Sequence, residues 1–495
     1  MRKRGFVAFV AFLAAAAGTG NAAAAAPRLS VGYATDHALA AAVQRAHGTI
    51  VRRVSALHVA EVQPQGSPLR FAARIACLPG IRYVEPSAAR SSRAEPGLTV
   101  GIGSSLPLEW AYTATHEDTV PADVKSAASA FTIAVIDTGA DFTAPDLAAK
   151  AATGFNAHSR TTDVSDLNGH GTFVASIAAG SATNGEGIAG FGGDARLLVV
   201  KAFSSGGFSD VDEATAIVYA VDHGARIINL SLAGPRSSTT ERNAVAYAAS
   251  HGALLVAAAG NDALNGNPVE YPAALLQPAG SNGIGGVGLA VGASNGAGAR
   301  APFSSFGSFL SLVAPGVDVL GAVSSSAPFG AFLPADLPGS AGRYGYGSGT
   351  SFAAPQVAGA AALVWAANPY LTANGVAEIL KQTASGSASW TPDIGYGVVD
   401  VGAAVARASG TPTVAVEGVR AGKAVHLTWH GHGVSAFRVL VSENGGRSRV
   451  AVGTTTATGA VVPLVKGHRY VFTVAGLGPD GKSVAGSAPY ALSAR

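Results

Sequence analysis

Residues 131–139 read Phe131-Thr132-Ile133-Ala134-Val135-Ile136-Asp137-Thr138-Gly139. An apolar run of this length, rich in β-branched side chains and closed by Asp, Thr and Gly, predicts a strand buried on both faces. Similar runs follow at 196–202, 226–232, 253–258 and 287–292, with helical patterns between them at 171–179, 211–223 and 242–250. Continuous apolar strands alternating with helices imply an α/β domain whose parallel sheet is covered on both faces. Sites in such sheets assemble at the C-terminal strand ends, which is where Asp137 stands.

Working outward, the 495-residue chain is 48% hydrophobic and only 13% charged, which excludes disorder throughout. Much of the apolar share is Ala, and 64 Gly accompany it, so small residues rather than lipid-facing Leu and Ile set the composition. Charge is unevenly spread. Residues 27–105 carry nine Arg against four acids, whereas residues 106–495 carry 21 basic against 26 acidic residues. An acidic main body argues against nucleic-acid binding. Cys77 and Met1 are the only sulfur-bearing residues, so thiol chemistry and disulfides play no part beyond residue 106.

Arg2-Lys3-Arg4, the apolar run 5–18 and the Ala string ending before Pro27 predict a secretory signal peptide over residues 1–26. That run is shorter than the roughly 20 residues of a membrane span, and no membrane anchor is expected elsewhere. Residues 27–90 read as a small α+β unit with a helix at 36–46 and a strand at 81–84. A Ser-, Arg- and Gly-rich connector at 91–105 is expected to be exposed and cleavable. The α/β region spans 106–408, and residues 411–495 change to short alternating strands, as in a small β-sandwich.

Three short motifs carry chemistry. Ile136-Asp137-Thr138-Gly139 ends the first strand, and Asn168-Gly169-His170-Gly171-Thr172 opens a helix with glycines that should leave the imidazole accessible. Gly349-Thr350-Ser351-Phe352-Ala353-Ala354-Pro355 puts Ser351 at a helix N-terminus, where unpaired N–H groups favour developing negative charge. Alone, each residue reads as a turn or cap. Together they supply a hydroxyl nucleophile, a base and an acid that orients the base. In the order Asp, His, Ser, the motifs resemble those of the subtilisin-like serine proteases over residues 106–408. The resemblance implies a three-layer catalytic domain in which Ser351 is nucleophile, His170 general base and Asp137 its orienting carboxylate. It also implies that Asn261, in Ala257-Ala258-Ala259-Gly260-Asn261, donates to the oxyanion together with the Ser351 N–H.

The same resemblance assigns substrate contacts and a cofactor. Ser231-Leu232-Ala233-Gly234 would pair with an extended polypeptide substrate, and Ala258 and Gly260 would line the adjoining pocket, which the Ala233 methyl narrows. Phe208 is either an aromatic wall of a more distant pocket or a loop anchor. Glu270 is either the floor of the primary pocket, with Asp262 at its rim and a preference for Arg or Lys, or an ordinary exposed Glu. Calcium would be held by Asp146 and Asn184 with carbonyls of Ala182, Glu186 and Ile188, all hard oxygen donors. The ligand that the mature N-terminus normally supplies has no evident counterpart.

Residues 29–84 resemble the inhibitory prodomain of these enzymes, an intramolecular partner whose basic charge opposes an acidic body. Self-cleavage is expected between Pro86 and Leu106. The tail resembles a fibronectin type III sandwich through Leu427-Thr428-Trp429 and Tyr470-Val471-Phe472-Thr473-Val474, and could contact cell wall or polysaccharide. The chain departs from the family at Phe173, usually His, at Phe352, usually Met, and at Gln356, usually His. These departures bear on substrate fit rather than proton transfer. Two weaker patterns are set aside: the glycines of 283–288 precede a strand instead of opening a helix, and His430 and His432 alternate on the tail, where a metal would have to bring them together. Two other classes remain, a secreted non-catalytic binding protein acting through its tail and a lipase or esterase. The intact set Asp137, His170, Ser351 and Asn261 speaks against the first, and the absence of a Gly-x-Ser-x-Gly elbow against the second.

Overall fold

The computed structural model describes residues 27–90 and 109–494, apart from 149, 151–152, 204–206, 329, 338–339 and 387–388. The expected signal peptide and the connector at 91–105 lie outside the described residues.

The N-terminal unit is an antiparallel sheet in the order β2-β3-β1-β4, where β1 is Leu29–Tyr33, β2 Gly48–Val54, β3 Val59–Pro64 and β4 Ile81–Pro86. Helices α1 (Asp36–Ala46) and α2 (Pro68–Ile75) cover one face. Thr35 caps α1 by accepting from the Ala38 N–H, and Ser67 caps α2, which begins with Pro68. A two-residue strand, β5 (Ala89–Arg90), follows.

The central domain holds seven parallel strands in the order β13-β12-β11-β10-β6-β8-β7. These are β6 (Thr132–Asp137), β7 (Thr153–Asn156), β8 (Arg196–Lys201), β10 (Ile227–Leu230), β11 (Leu254–Ala258), β12 (Gly288–Ser294) and β13 (Leu312–Pro315), while β9 (Phe208–Ser209) lies outside the sheet and pairs antiparallel with β5. Strand alternation divides the core. Ile133 and Val135 face α3 (His170–Ala179) and α6 (Thr350–Ala367), while Ala134 and Ile136 face α4 (Asp210–Asp222) and α5 (Thr239–Ser250). Helix α6 is buried on all sides through Trp365, which fits a helix apolar around its whole circumference.

The N-terminal unit packs on α4 and α5, with Val54 and Val59 joining the same apolar cluster as Val211, Ala214 and Ala244. The tail forms two antiparallel sheets, with Thr413–Ala421, Ala424–His432 and Gly459–Pro463 in one and Ala436–Glu443 and Arg469–Leu477 central to the other. Trp429 is fully buried between them. No helix among the described residues is long and apolar enough to cross a membrane.

Candidate active site

Asp137 closes β6 at the C-terminal edge of the sheet and is fully buried. Its Oδ1 accepts from the Thr138 N–H and from His170 Nδ1, each at 2.7 Å. The His170 helix is seated on the strand end by a second carboxylate. Asp166 Oδ1 accepts from Thr138 Oγ1 at 2.9 Å and the Gly169 N–H at 2.9 Å, and its Oδ2 from the Thr172 N–H at 2.8 Å and Thr172 Oγ1 at 2.6 Å. Thr138 Oγ1 in turn accepts from the Gly171 N–H at 2.8 Å. A Cβ on Gly171 would stand 2.1 Å from the Gly139 carbonyl oxygen, so glycine is the residue that allows this seating.

Burial disfavours a charged imidazole, yet the Asp137 charge and hydrogen bond, with a further contribution from Asp166, outweigh it and hold His170 above the ordinary imidazole pKa. The expectation of an accessible ring is corrected. His170 is 1% exposed, closed in by Asp137 on one side and by Phe352, 5.6 Å away between ring centroids. Its Nε2 is buried and makes no hydrogen bond among the described residues.

Ser351 lies in the first turn of α6, next to Phe352 and hence near His170. Its carbonyl accepts from Ser231 Oγ at 2.7 Å, which ties the end of β10 to the start of α6. Asn261, just beyond β11, accepts through Oδ1 from the Thr350 N–H and Oγ1, both at 2.9 Å. These two bonds fix the amide orientation and turn Nδ2 toward Gly349 and the N-terminus of α6. The structure thus gathers Asp137, His170, Ser351 and Asn261 at the ends of β6 and β11 and the starts of α3 and α6.

The other expected residues divide. Ala233 is half-buried beside Gly234, while Leu232 and Ala258 point into the core and offer only backbone to a substrate. Phe208 packs on Phe203 with centroids 4.3 Å apart, and its strand pairs with β5. Glu270 is buried, not exposed, against Gly260. The departures at 173 and 352 prove to be one packing unit: Phe173 lies 4.6 Å from both Phe332 and Phe352, forming a wall behind His170. Gln356 donates to the Pro315 carbonyl at 2.6 Å. His430 stacks on Tyr370 and His432 contacts the Ser409 carbonyl, so the two histidines do not converge.

Around the expected cation loop, Asp146 accepts from the Tyr344 hydroxyl at 2.8 Å and the Ile188 N–H at 3.1 Å. Asn184 directs its Nδ2 at Asp146, and its Oδ1 is buried without a hydrogen-bond partner. Glu186 turns its carboxylate to the Ala341 N–H. Sequence reasoning missed Glu109, whose Oε1 accepts from the Ala189 N–H at 3.1 Å. Burial, partly offset by that bond and reinforced by the Asp146 charge, pushes its carboxyl up to about 7. Its signal is an acid beside Trp110 near the start of the α/β region. Two carboxylates in one buried neighbourhood and an orphaned amide oxygen fit a hard cation. No cluster of three or more His, Cys, Asp or Glu side chains suited to a metal occurs among the described residues, so carbonyl and amide oxygens must complete any such site.

The family model described as the subtilase family matches residues 128–397, and that of the fervidolysin N-terminal prodomain matches residues 13–87. A thermophilic serine proteinase of Bacillus sp. (strain AK1) is 36% identical over 289 residues, 58% of this chain and 63% of that protein. A subtilisin of Bacillus pumilus is 35% identical over 281 residues, 55% of this chain and 90% of that protein. The cell wall-associated protease of Bacillus subtilis is 41% identical over only 26% of its own length, so the chain spans less than two thirds of some of these relatives. Among solved structures, fervidolysin from Fervidobacterium pennivorans superimposes with a TM-score of 0.64 at 22% identity, covering 91% of this chain and 87% of that one.

Proposed function

The chain belongs to the subtilase family, and from that premise we propose that it is a secreted serine endopeptidase made as a self-cleaving proenzyme. The observation that carries the reading is the buried 2.7 Å bond between Asp137 and His170 beside the Ser351 helix. Ser351 Oγ attacks the peptide carbonyl as His170 Nε2 takes its proton. Asp137 holds the Nδ1–H tautomer and stabilises the imidazolium. The tetrahedral oxyanion is received by Asn261 Nδ2 and the Ser351 N–H, preoriented donors that need no reorganisation. His170 then protonates the departing amine, leaving an acyl-enzyme, and the same groups activate water to hydrolyse it. Casein hydrolysis that phenylmethylsulfonyl fluoride abolishes is the expected result; hydrolysis surviving in Ser351→Ala would rule the mechanism out.

The further assignments follow from this reading. Residues 1–26 direct secretion, 27–90 inhibit until cleavage within 91–105, 106–408 catalyse, and 411–495 form a fibronectin type III-like module. The Tyr470 hydroxyl, which accepts from the Val465 N–H at 2.9 Å, supports the last assignment. A calcium ion would be held by Asp146, the Asn184 Oδ1, carbonyls of Ala182, Glu186 and Ile188, and Glu109. It would supply charge neutralisation that pins the loop after α3. Chelation should lower the thermal midpoint of the wild type and leave that of Asn184→Ala nearly unmoved; equal shifts in both would remove Asn184 from the site.

A further inference from the structure

Between β14 (Val319–Ala322) and β16 (Tyr344–Gly347), the strand that leads into Ser351, the chain makes an excursion whose middle strand, β15 (Leu333–Ala335), pairs antiparallel with β16. Both ends of this arm are tied down. Asp141, just past Asp137, accepts from the Ser325 N–H at 2.7 Å and from Ser325 Oγ at 2.6 Å, and Ser324 Oγ donates to the Asp166 carbonyl at 2.8 Å. At the return, Arg343 Nη1 donates to the Ser324 and Ser325 carbonyls at 2.8 and 3.0 Å. Burial works against the Asp141 carboxylate, yet the donors of Ser325 and Thr143 outweigh it and hold its pKa down at about 2, so the anchor is charged wherever His170 is neutral.

The arm sends one side chain inward. Leu333 is 41% exposed, while Phe332 beside it is buried and lies flat on Phe173, with centroids 4.6 Å and planes 6° apart. Phe332 also faces the Phe352 ring at 6.3 Å. Glycine makes the room: a Cβ on Gly169 would stand 3.2 Å from the Phe332 ring and 2.6 Å from the Ala327 Cβ of the same arm, and one on Gly347 would stand 2.6 Å from the Phe352 ring. Phe173 lies within one turn of His170 on α3, and Phe352 is the neighbour of Ser351 on α6. Contact between those two rings therefore joins the helix that carries the base to the helix that carries the nucleophile, and Phe332 packs on both. The Asp137 bond holds only the Nδ1 edge of the imidazole. Its tilt toward Ser351 depends on the ring packed against it, Phe352 at 5.6 Å, and a displacement of about 1 Å between base and nucleophile can cost about 100-fold in rate.

We propose that Phe332 is a positioning residue: delivered by an arm anchored on Asp141 and Arg343, it braces Phe173 and Phe352 and so fixes the His170 ring relative to Ser351. This rests on the endopeptidase reading above. Removing the ring opens space into which Phe173 and Phe352 can turn, and the base loses its alignment although Asp137, His170, Ser351 and Asn261 all remain.

The test uses the full-length chain after self-processing, with one peptide p-nitroanilide and active sites counted by fluorophosphonate titration. Phe332→Ala should lower kcat per titrated site about tenfold or more and leave KM within about twofold. Phe332→Leu, which refills most of the space, should recover to within about threefold of the wild type. The downfield proton resonance of the His170 Nδ1–H, sharp in the wild type, should broaden by exchange with water in Phe332→Ala and sharpen again in Phe332→Leu. Looser packing far from the imidazole would not produce that change. An unchanged kcat and resonance in Phe332→Ala overturn the proposal, as does a Phe332→Leu no better than Phe332→Ala. A raised KM at constant kcat also overturns it, making the arm a substrate contact. Should Phe332→Ala not fold, Asp141→Ala decides: it frees the Ser325 end of the arm with every ring kept, and kcat should fall about threefold or more at constant KM. An unchanged kcat there overturns the proposal. A wild type that neither hydrolyses the peptide nor takes up fluorophosphonate overturns the underlying reading instead.

Discussion

Two of the places where the molecule buries charge are built differently. Around His170, the carboxylates of Asp137 and Asp166 are bonded by groups of the same domain, chiefly the Thr138 N–H and hydroxyl and the first turn of α3. At the interface of the N-terminal unit, Arg52 instead bridges two separable parts: its Nε donates to Glu61 of its own sheet at 2.6 Å, and its Nη1 to Asp212 of α4. Ser30 and Ser87 both donate to Asp210, and Glu85 accepts from the Thr240 N–H in the first turn of α5. Breaking a buried ion pair from one side costs several kcal/mol, whereas separating both faces into water rehydrates each charge. The first network therefore fixes geometry permanently. The second makes docking specific yet leaves it reversible.

The largest expected effect lies in the permanent network. Ser351→Ala should lose about 10⁴-fold or more in kcat and accumulate as the uncleaved chain, with the N-terminal unit retained. N-terminal sequencing and gel mobility read this directly. Cleavage of purified Ser351→Ala by itself would mean that the two networks do not act in sequence in one molecule. Next comes Arg52→Ala, which takes from Glu61 and Asp212, both nearly fully buried, the cation they share, leaving Glu61 to Arg28 and Asp212 to His158 and Ser209. A loss of about 3–5 kcal/mol in docking is expected, which shortens the lag between self-cleavage and full activity by at least about tenfold. An unaltered lag would show that the Arg52 bridge does not hold the unit in place, leaving that to the packing of Val54 and Val59 and to the bonds at Asp210 and Glu85.

The permanent site was also the more legible of the two in the sequence. Asp137, His170, Ser351 and Asn261 each lie in a short motif at the end of a strong strand or the start of a strong helix, so local pattern and chain order suffice to find them. Strands β7 and β13 were not read, since each is four residues long and Thr153-Gly154-Phe155-Asn156 has no periodicity to separate it from loop. Asp166 escaped notice because its donors are spread over residues 138–172 and only the seating of α3 on β6 brings them together. Phe173 and Phe352 looked like two unrelated departures and are one aromatic contact. The interface was legible only as a charge imbalance, because which Arg meets which acid depends on how the N-terminal sheet lies across α4 and α5.

A smaller effect sharpens the electrostatic side of the comparison. Catalysis needs the neutral imidazole, so activity falls as pH drops through the pKa of His170, and a raised pKa moves that loss upward from about 6.5. The acid limb of kcat/KM against pH should therefore lie above that of an ordinary imidazole. Asp166→Asn, which removes one carboxylate charge while keeping an acceptor, should draw it down and lower kcat more than it raises KM. A limb that does not move would assign Asp166 to folding alone.

The smallest effect separates charge from hydrogen bonding at the interface. Glu85 Oε1 lies 3.1 Å from the Thr240 N–H, where the N-terminal end of α5 offers both an unpaired donor and the positive pole of its dipole. Glu85→Gln keeps an oxygen for the donor and discards the charge, so docking should weaken by only about 1 kcal/mol, or roughly fivefold in the release equilibrium. Glu85→Ala removes both and should cost more. Measured as the lag before full activity, the ratio of wild type to Glu85→Gln reports how much of the dipole interaction survives at a partly buried interface, and the ratio of Glu85→Gln to Glu85→Ala reports the hydrogen bond. Equal lags in Glu85→Gln and the wild type would mean that charge contributes nothing at this contact, and that the hydrogen bond alone acts there.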